Sequence, residues 1–260
     1  MSDFKRYVGV DYSGAGTPEA SLKGLRVYLA EDDGQPEEVP PPPSPRKYWS
    51  RKEFAGWLVD LLSEDVPTLV GMDHAFSFPL RYFEVHGVKP DWDVFLEDFH
   101  RHWPTDEDYV YVDFVRDGSM GRGPERSGDS LWCRLTEIRA GAKSVFHFDV
   151  PGQVAKSTHA GLPWLRRMRR ELGGKAHFWP FDGWNPPRDR SVVAETYPAL
   201  WSKDFPREGR TPDQHDAYSL AAGLARADRR GELEPLFLPD LNPQERMVAA
   251  VEGWILGVQG

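Results

Sequence analysis

Three apolar runs in the 260-residue chain end on an acid. Tyr7 to Val10 stops at Asp11, Thr68 to Met72 at Asp73, and Val192 to Ala194 at Glu195. Short, near-continuous apolar runs suit strands buried on both faces, so each acid stands where its strand leaves the core. If the three strands share one sheet and one direction, their carboxylates converge on the edge where open α/β sheets place ligands. Asp213 and Asp216, three residues apart after Thr211 and Pro212, add two carboxylates on one face at the start of a helix. The positive end of the helix dipole favours their ionised form there. Four or five carboxylates cannot stay anionic together without a counter-charge. Divalent metal is the natural remedy, and all-oxygen ligands suit Mg²⁺ or Mn²⁺ rather than zinc. Two such ions about 4 Å apart activate a water and stabilise the leaving oxygen in phosphodiester hydrolysis.

A strand-end aspartate taken alone is an ordinary turn or cap former; the joint pattern is what points to chemistry. His74 follows Asp73 and His215 precedes Asp216, so either imidazole can orient a nucleophile or neutralise charge, and each can equally be structural. Cys133, the single cysteine, cannot close an intrachain disulfide or build a thiolate zinc site. With no signal-peptide or membrane-spanning pattern, the expectation is a cytoplasmic protein. Thirty-two basic against 41 acidic side chains give a net charge of −9, which argues against a coat for nucleic acid. Arginines at 122, 126, 134, 139, 166, 167, 169 and 170, with Lys143, supply local positive charge that can meet a phosphate backbone or sit in surface ion pairs.

The elements that must position these groups are legible in part. Tyr7–Asp11 reads as a strand running into a small-residue turn, Ser13 to Gly16, and Leu25–Leu29 as the next strand. The prolines at 40–43 and 45 form a stiff connection, and Pro42, Pro45 and Lys47 also fit a loose SH3-ligand pattern. Ser50 with Glu53 is a capping box for a helix over Arg51–Ser63. Asp91–Trp103 reads as an amphipathic helix, and the Gly-, Arg- and Ser-rich stretch Asp117–Asp129 as a mobile loop. Pro163 stands where a helix can begin. Strand signals return at Ala176–Phe181 and Ser191–Glu195, and helices follow from Pro212 and over Pro243–Val258. Strands first, then strands alternating with helices, then helices, imply a mixed α/β layer architecture.

The segments GVDYSGAG (9–16), GMDHAFSFP (71–79), AETYPAL (194–200) and DQHDAYSLAA (213–222) resemble, in order and spacing, a domain-of-unknown-function family described as predicted nucleases of the RNase H-like fold. RLTEIRAG (134–141), GLPWLRRM (161–168), HFWPF (177–181) and EGWILG (252–257) extend the resemblance over nearly the whole chain. The Asp-x-x-Asp-Ala helix after a Glu-x-Tyr-Pro strand is also similar to the Holliday-junction resolvase branch of that superfamily. The resemblance implies metal ligands at Asp11, Asp73 and Asp216, with Asp213 as a fourth and Glu195 as a further catalytic carboxylate. In that branch the middle strand usually ends on Glu, where this chain has the shorter Asp73. The implied fold is a single RNase H-like α/β domain whose sheet is antiparallel in its early strands and parallel thereafter. Its core covers about residues 1–77 and 164–260, with an insertion at about 78–163. The implied function is a Mg²⁺- or Mn²⁺-dependent nuclease acting on nucleic acid or a nucleotide. Two rivals stand beside it. Asp11 followed by Ser13, Gly14 and Gly16 is the start of a phosphate cradle in nucleotide-dependent phosphotransferases and ATPases on the same core, but no second copy of that pattern appears. A non-catalytic binding module is the other.

Overall fold

The computed structural model describes residues 4–148 and 154–260. Six strands form one sheet: β1 (Arg6–Asp11), β2 (Arg26–Glu31), β3 (Glu37–Glu38), β4 (Thr68–Asp73), β5 (Ala176–Trp179) and β6 (Ser191–Glu195). Their order across the sheet is β3-β2-β1-β4-β6-β5. β1 to β3 form an antiparallel meander, while β1, β4, β6 and β5 run parallel. The expected mixed α/β sheet, antiparallel early and parallel late, is therefore present.

Alternation along the strands divides the core. Val8, Val10, Val70, Met72 and Val193 face one layer, formed by α1 (Arg51–Ser63) and α6 (Val154–Leu172). Tyr7, Leu69, Val192 and Ala194 face the other, where α7 (Pro212–Arg229) lies over β1, β2 and β4. Gly9 permits that close approach: a Cβ there would stand 2.1 Å from the Ala217 carbonyl oxygen and 2.5 Å from the Ala221 nitrogen. The missing side chain lets α7 rest on β1 with its first turn at the strand's C-terminal end. Thr211 caps that turn, its hydroxyl accepting from the Gln214 N–H while the Gln214 side chain accepts from the Thr211 N–H.

Between β4 and β5 the chain is helical, with α2 (Leu80–His86), α3 (Trp92–His102), α4 (Val112–Arg116), α5 (Leu135–Ala140) and then α6. The expected insertion boundary near residue 163 falls inside α6, which packs on both α3 and α1. Pro163 is therefore internal to a helix rather than its start. Its missing N–H leaves the His159 carbonyl without its helical donor, and the Thr105 hydroxyl donates to that oxygen at 2.7 Å. The stretch 117–129 is also tied down, contrary to expectation. The Arg122 N–H donates to the His102 carbonyl, and the Arg126 guanidinium pairs with Asp98 at 2.7 Å.

Two other boundaries differ from those read in the sequence. β5 ends at Trp179 rather than Phe181, because Pro180 has no N–H for a ladder and the chain turns, Gly183 N–H donating to the Pro180 carbonyl. After α8 (Leu233–Phe237), the last helix, α9 (Pro243–Glu252), stops six residues short of Val258. Beyond it Trp254, Ile255 and Leu256 are consecutive buried residues, an apolar run that no one-sided helix can place. No helix among the described residues is long and apolar enough to cross a membrane.

Gly9→Ala should force α7 off the sheet and cost about 2–3 kcal/mol, lowering Tm by about 6–10 °C. Thermal melting followed by circular dichroism checks it; an unchanged Tm would mean that α7 does not depend on this contact.

Candidate active site

The parallel register sets Asp11 directly beside Asp73 and pairs Met72 with Glu195, so the three strand-end acids leave the sheet at one edge. α7 brings Asp213 and Asp216 to the same edge. All five line one cavity of about 560 Å³, with His74, Arg134 and Lys143 among its other walls. The sequence-level convergence is thus present in three dimensions, but the five carboxylates are not equivalent.

Asp11, Asp73, Asp213 and Asp216 accept no hydrogen bond and join no ion pair among the described residues. Burial, followed by repulsion from Asp73, Asp213 and Asp216, holds the Asp11 carboxyl well above the usual carboxylate range. Burial, then Asp216 and Glu195, push Asp73 up to about 8. Asp216 is raised by burial and by Asp213, against a partial offset from His215 and Arg207. Arg26, opposite Asp11 in the antiparallel register, eases Asp11 in part, and its guanidinium is engaged by Glu38 at 2.9 Å. The acid group is therefore under-compensated by the protein itself.

Glu195 departs from expectation. Arg134 donates to its Oε2 at 2.7 Å and its Oε1 at 2.5 Å, and the Phe76 N–H donates to Oε2 at 3.2 Å. Arg134, which the sequence placed among candidate phosphate contacts, is 1% exposed and is committed to Glu195, to Glu137 at 2.9 Å and to the Glu252 carbonyl. Burial alone would lower its pKa, but the Glu195 and Glu137 carboxylates hold it raised and charged. Glu195 lines the cavity as half of a buried ion pair, and its oxygens are taken.

The remaining basic residues follow the same rule. Arg166 and Arg170 both reach Glu97, Arg167 pairs with Glu171, Arg169 with Asp93 and Asp182, and Arg139 with Glu245. Arg166, Arg169 and Arg170 thus fasten α6 to α3 instead of forming an open phosphate-binding stripe.

His74 is fully buried, with Nδ1 2.9 Å from the Ala75 carbonyl, which assigns the proton to Nδ1 and leaves Nε2 without a partner. Burial and, behind it, Arg134 push its pKa down to about 4, so it is neutral and offsets none of the acids' charge. His215 has Nε2 3.0 Å from the Ser202 carbonyl, a contact that braces the first turn of α7. Cys133 is partly buried and its thiol is pushed up by burial, the opposite of an activated nucleophile.

No three His, Cys, Asp or Glu side chains among the described residues stand close enough to hold one metal ion as they are. The donor set itself suits a hard divalent cation: four carboxylates without hydrogen-bonded partners among the described residues line one cavity, and burial makes Asp11 and Asp73 resist ionisation. No protein-family model, curated protein or solved structure matches the chain.

Two outcomes follow. Arg134→Met strands the buried Glu195 carboxylate and should cost about 3–5 kcal/mol in urea unfolding. Adding Glu195→Gln should recover much of that; additive losses would show that the two do not act as a pair. The second concerns pH. Asp73 has a folded pKa of about 8, above its unfolded value, so the folded state holds the proton longer. Without metal, stability should fall as pH rises from about 4 to about 8. Asp73→Asn should flatten that slope and raise Tm at pH 8 far more than at pH 4.

Proposed function

We propose that the protein is a divalent-metal-dependent phosphodiester hydrolase of the RNase H-like type, a nuclease, with Mg²⁺ or Mn²⁺ held by Asp11, Asp73, Asp213 and Asp216. The observation that carries this reading is the under-compensated carboxylate group itself: four acids from two parallel strands and one helix converge on one cavity without an ion-paired partner among the described residues, and Asp11, Asp73 and Asp216 are held above the usual carboxylate range. A protein that needed these residues only for folding would be better served by neutral side chains there. A sheet with an antiparallel start and parallel remainder supports the RNase H-like reading, as does the arrival of a helix bearing Asp213 and Asp216 beside the strand-end acids.

Bound metal would supply an activated water and charge stabilisation on the leaving oxygen. The chain's own residues do the rest. Asp11 and Asp73, adjacent in register, form the rigid side of the site because both stand on central strands. Asp213 and Asp216 form the other side, on a helix braced by its capping box and by His215. Glu195 and Arg134 hold the cavity wall rather than the cation. Neutral His74, fully buried against Tyr12 and Phe76, brings no charge to the site.

Asp11→Asn and Asp216→Asn should each reduce Mn²⁺-supported cleavage of short DNA and RNA substrates by at least about 100-fold, with the fold retained by circular dichroism. Calorimetry should show Mn²⁺ binding that either change weakens. Mn²⁺ binding without cleavage of any phosphodiester would favour a binding module. ATP turnover without nucleic-acid cleavage would favour the phosphotransferase reading. Absence of Mn²⁺ binding sinks the proposal.

A further inference from the structure

The acids make up only part of the cavity wall. Two further segments complete much of it: residues 141–143 after α5, and residues 195–199 at and beyond the end of β6. Arg134, which immediately precedes α5, grips Glu195 at the end of β6, so the spacing between these segments is fixed by a buried ion pair. Each segment carries a side chain that the metal reading leaves unused, Lys143 on the first and Tyr197 on the second.

Tyr197 is half-buried and its backbone is held on both sides. The preceding Thr196 N–H donates to the Met72 carbonyl at 2.9 Å, and the Leu200 N–H donates to the Tyr197 carbonyl at 3.0 Å. The side chain packs against the apolar layer that contains Trp201, Trp254 and Ile255. Its ring nevertheless stacks on no other aromatic ring, and its hydroxyl has no partner among the described residues. Lys143 has an exposed side chain on a pinned backbone. The Ala142 N–H donates to the Glu137 carbonyl at 2.9 Å, and the Ser144 hydroxyl donates to the Trp132 carbonyl at 2.5 Å. A rigidly mounted ring and a rigidly mounted ammonium group thus share one cavity with the four acids.

The dimensions of the cavity select among phosphodiesters. At 560 Å³ it is roughly 10 Å across if taken as a sphere, narrower than the about 12 Å major groove of a B-form duplex, and so too small to admit a duplex. Burial is the largest cause of the raised Asp11 and Asp73 pKa values, which sets these acids within the cavity rather than on an open face. A base in a duplex reaches such a place only by leaving its stack, a cost that an unpaired base does not bear in full. The duplex arms of a four-way junction meet the same barrier.

We infer that the cavity receives an unpaired nucleotide of a single-stranded nucleic acid, its base against the Tyr197 ring and a phosphate of the strand in reach of Lys143. Base-on-ring stacking tolerates every base, so the class is single strands rather than one sequence. The net charge of −9 keeps the affinity dependent on these few contacts and sensitive to salt. The fate of the bound strand rests on the hydrolase reading; its binding does not.

The test is fluorescence anisotropy of the full-length protein in Mn²⁺ with short, end-labelled phosphorothioate strands, which keep the backbone charge and resist cleavage. DNA and RNA single strands, a blunt duplex, a four-way junction and a nucleoside monophosphate form the arms. At least one single strand should bind about tenfold or more tighter than the duplex and the junction. Tyr197→Leu should weaken strand binding about tenfold while Tyr197→Phe retains it. Lys143→Gln should reduce the slope of log K against log salt by about 0.7, and Lys143→Arg should preserve it. Equal or tighter binding of duplex or junction overturns the inference, as does mononucleotide binding as tight as that of the strand, or no strand binding at all. Unchanged affinity in Tyr197→Leu removes the stacking contact. If that variant does not fold, the strand-against-duplex comparison in the unaltered protein and the Lys143→Gln salt slope still decide. Selective strand binding without cleavage of the matching unmodified strand refutes the hydrolase and leaves this inference standing; cleavage confined to duplex or junction does the reverse.

Discussion

The buried pairing of Arg134 with Glu195 is the interaction on which the arrangement of the site depends. It joins the end of β6 to α5 in the helical segment, and through the Glu252 carbonyl it also joins the end of α9. Glu252 repeats the tie with its side chain, accepting from the Leu80 and Leu135 N–H groups. Two ions taken out of water cost several kcal/mol each, repaid only when every lone pair and proton is satisfied. Here the guanidinium meets two carboxylates and a carbonyl, and Glu195 also accepts a backbone N–H. Such a pair contributes more to uniqueness of arrangement than to net stability, since any other seating of α5 against β6 leaves a buried charge alone.

Its second consequence is electrostatic. By engaging Glu195, Arg134 divides the five converging acids into one that is neutralised internally and four that are not. The four are concentrated where β1, β4 and α7 meet, and the approach of α7 depends on the absence of a side chain at Gly9. Packing of small residues on one face of the sheet thereby creates a charge imbalance at its edge. The protein places little basic charge in ion-pair reach of these acids, while three arginines of α6 are spent on α3. The unmet demand for positive charge at the sheet edge is the feature on which the proposed metal site rests.

Much of this was legible in the residues because local rules govern it. Apolar runs ending at Asp11, Asp73 and Glu195 mark strands that stop at one edge of the core, and Thr211 with Pro212 and Gln214 marks a helix start whatever the surroundings. Pro163 misled because a proline inside a helix is tolerated only when a distant group, here Thr105, takes the freed carbonyl. The run 117–129 misled because its composition suits a loop, yet Arg126 is held by Asp98 on α3. Arg51 gave no signal: only the folded turn after β1 supplies the Ser13, Ala15 and Gly16 carbonyls that accept from its buried guanidinium.

By itself, the sequence determined most of the strand-and-helix alphabet, the acids that end the strands, and the excess of negative over positive side chains. Those follow from side-chain chemistry and periodicities of two and 3.6 residues, which act within a few positions. Only the tertiary structure decided which acids stay without a partner, which is taken by Arg134, and where the arginines spend their charge. Each of these depends on groups tens to hundreds of residues apart meeting at a few ångströms, and electrostatic interaction in a buried site is set by that distance rather than by order along the chain.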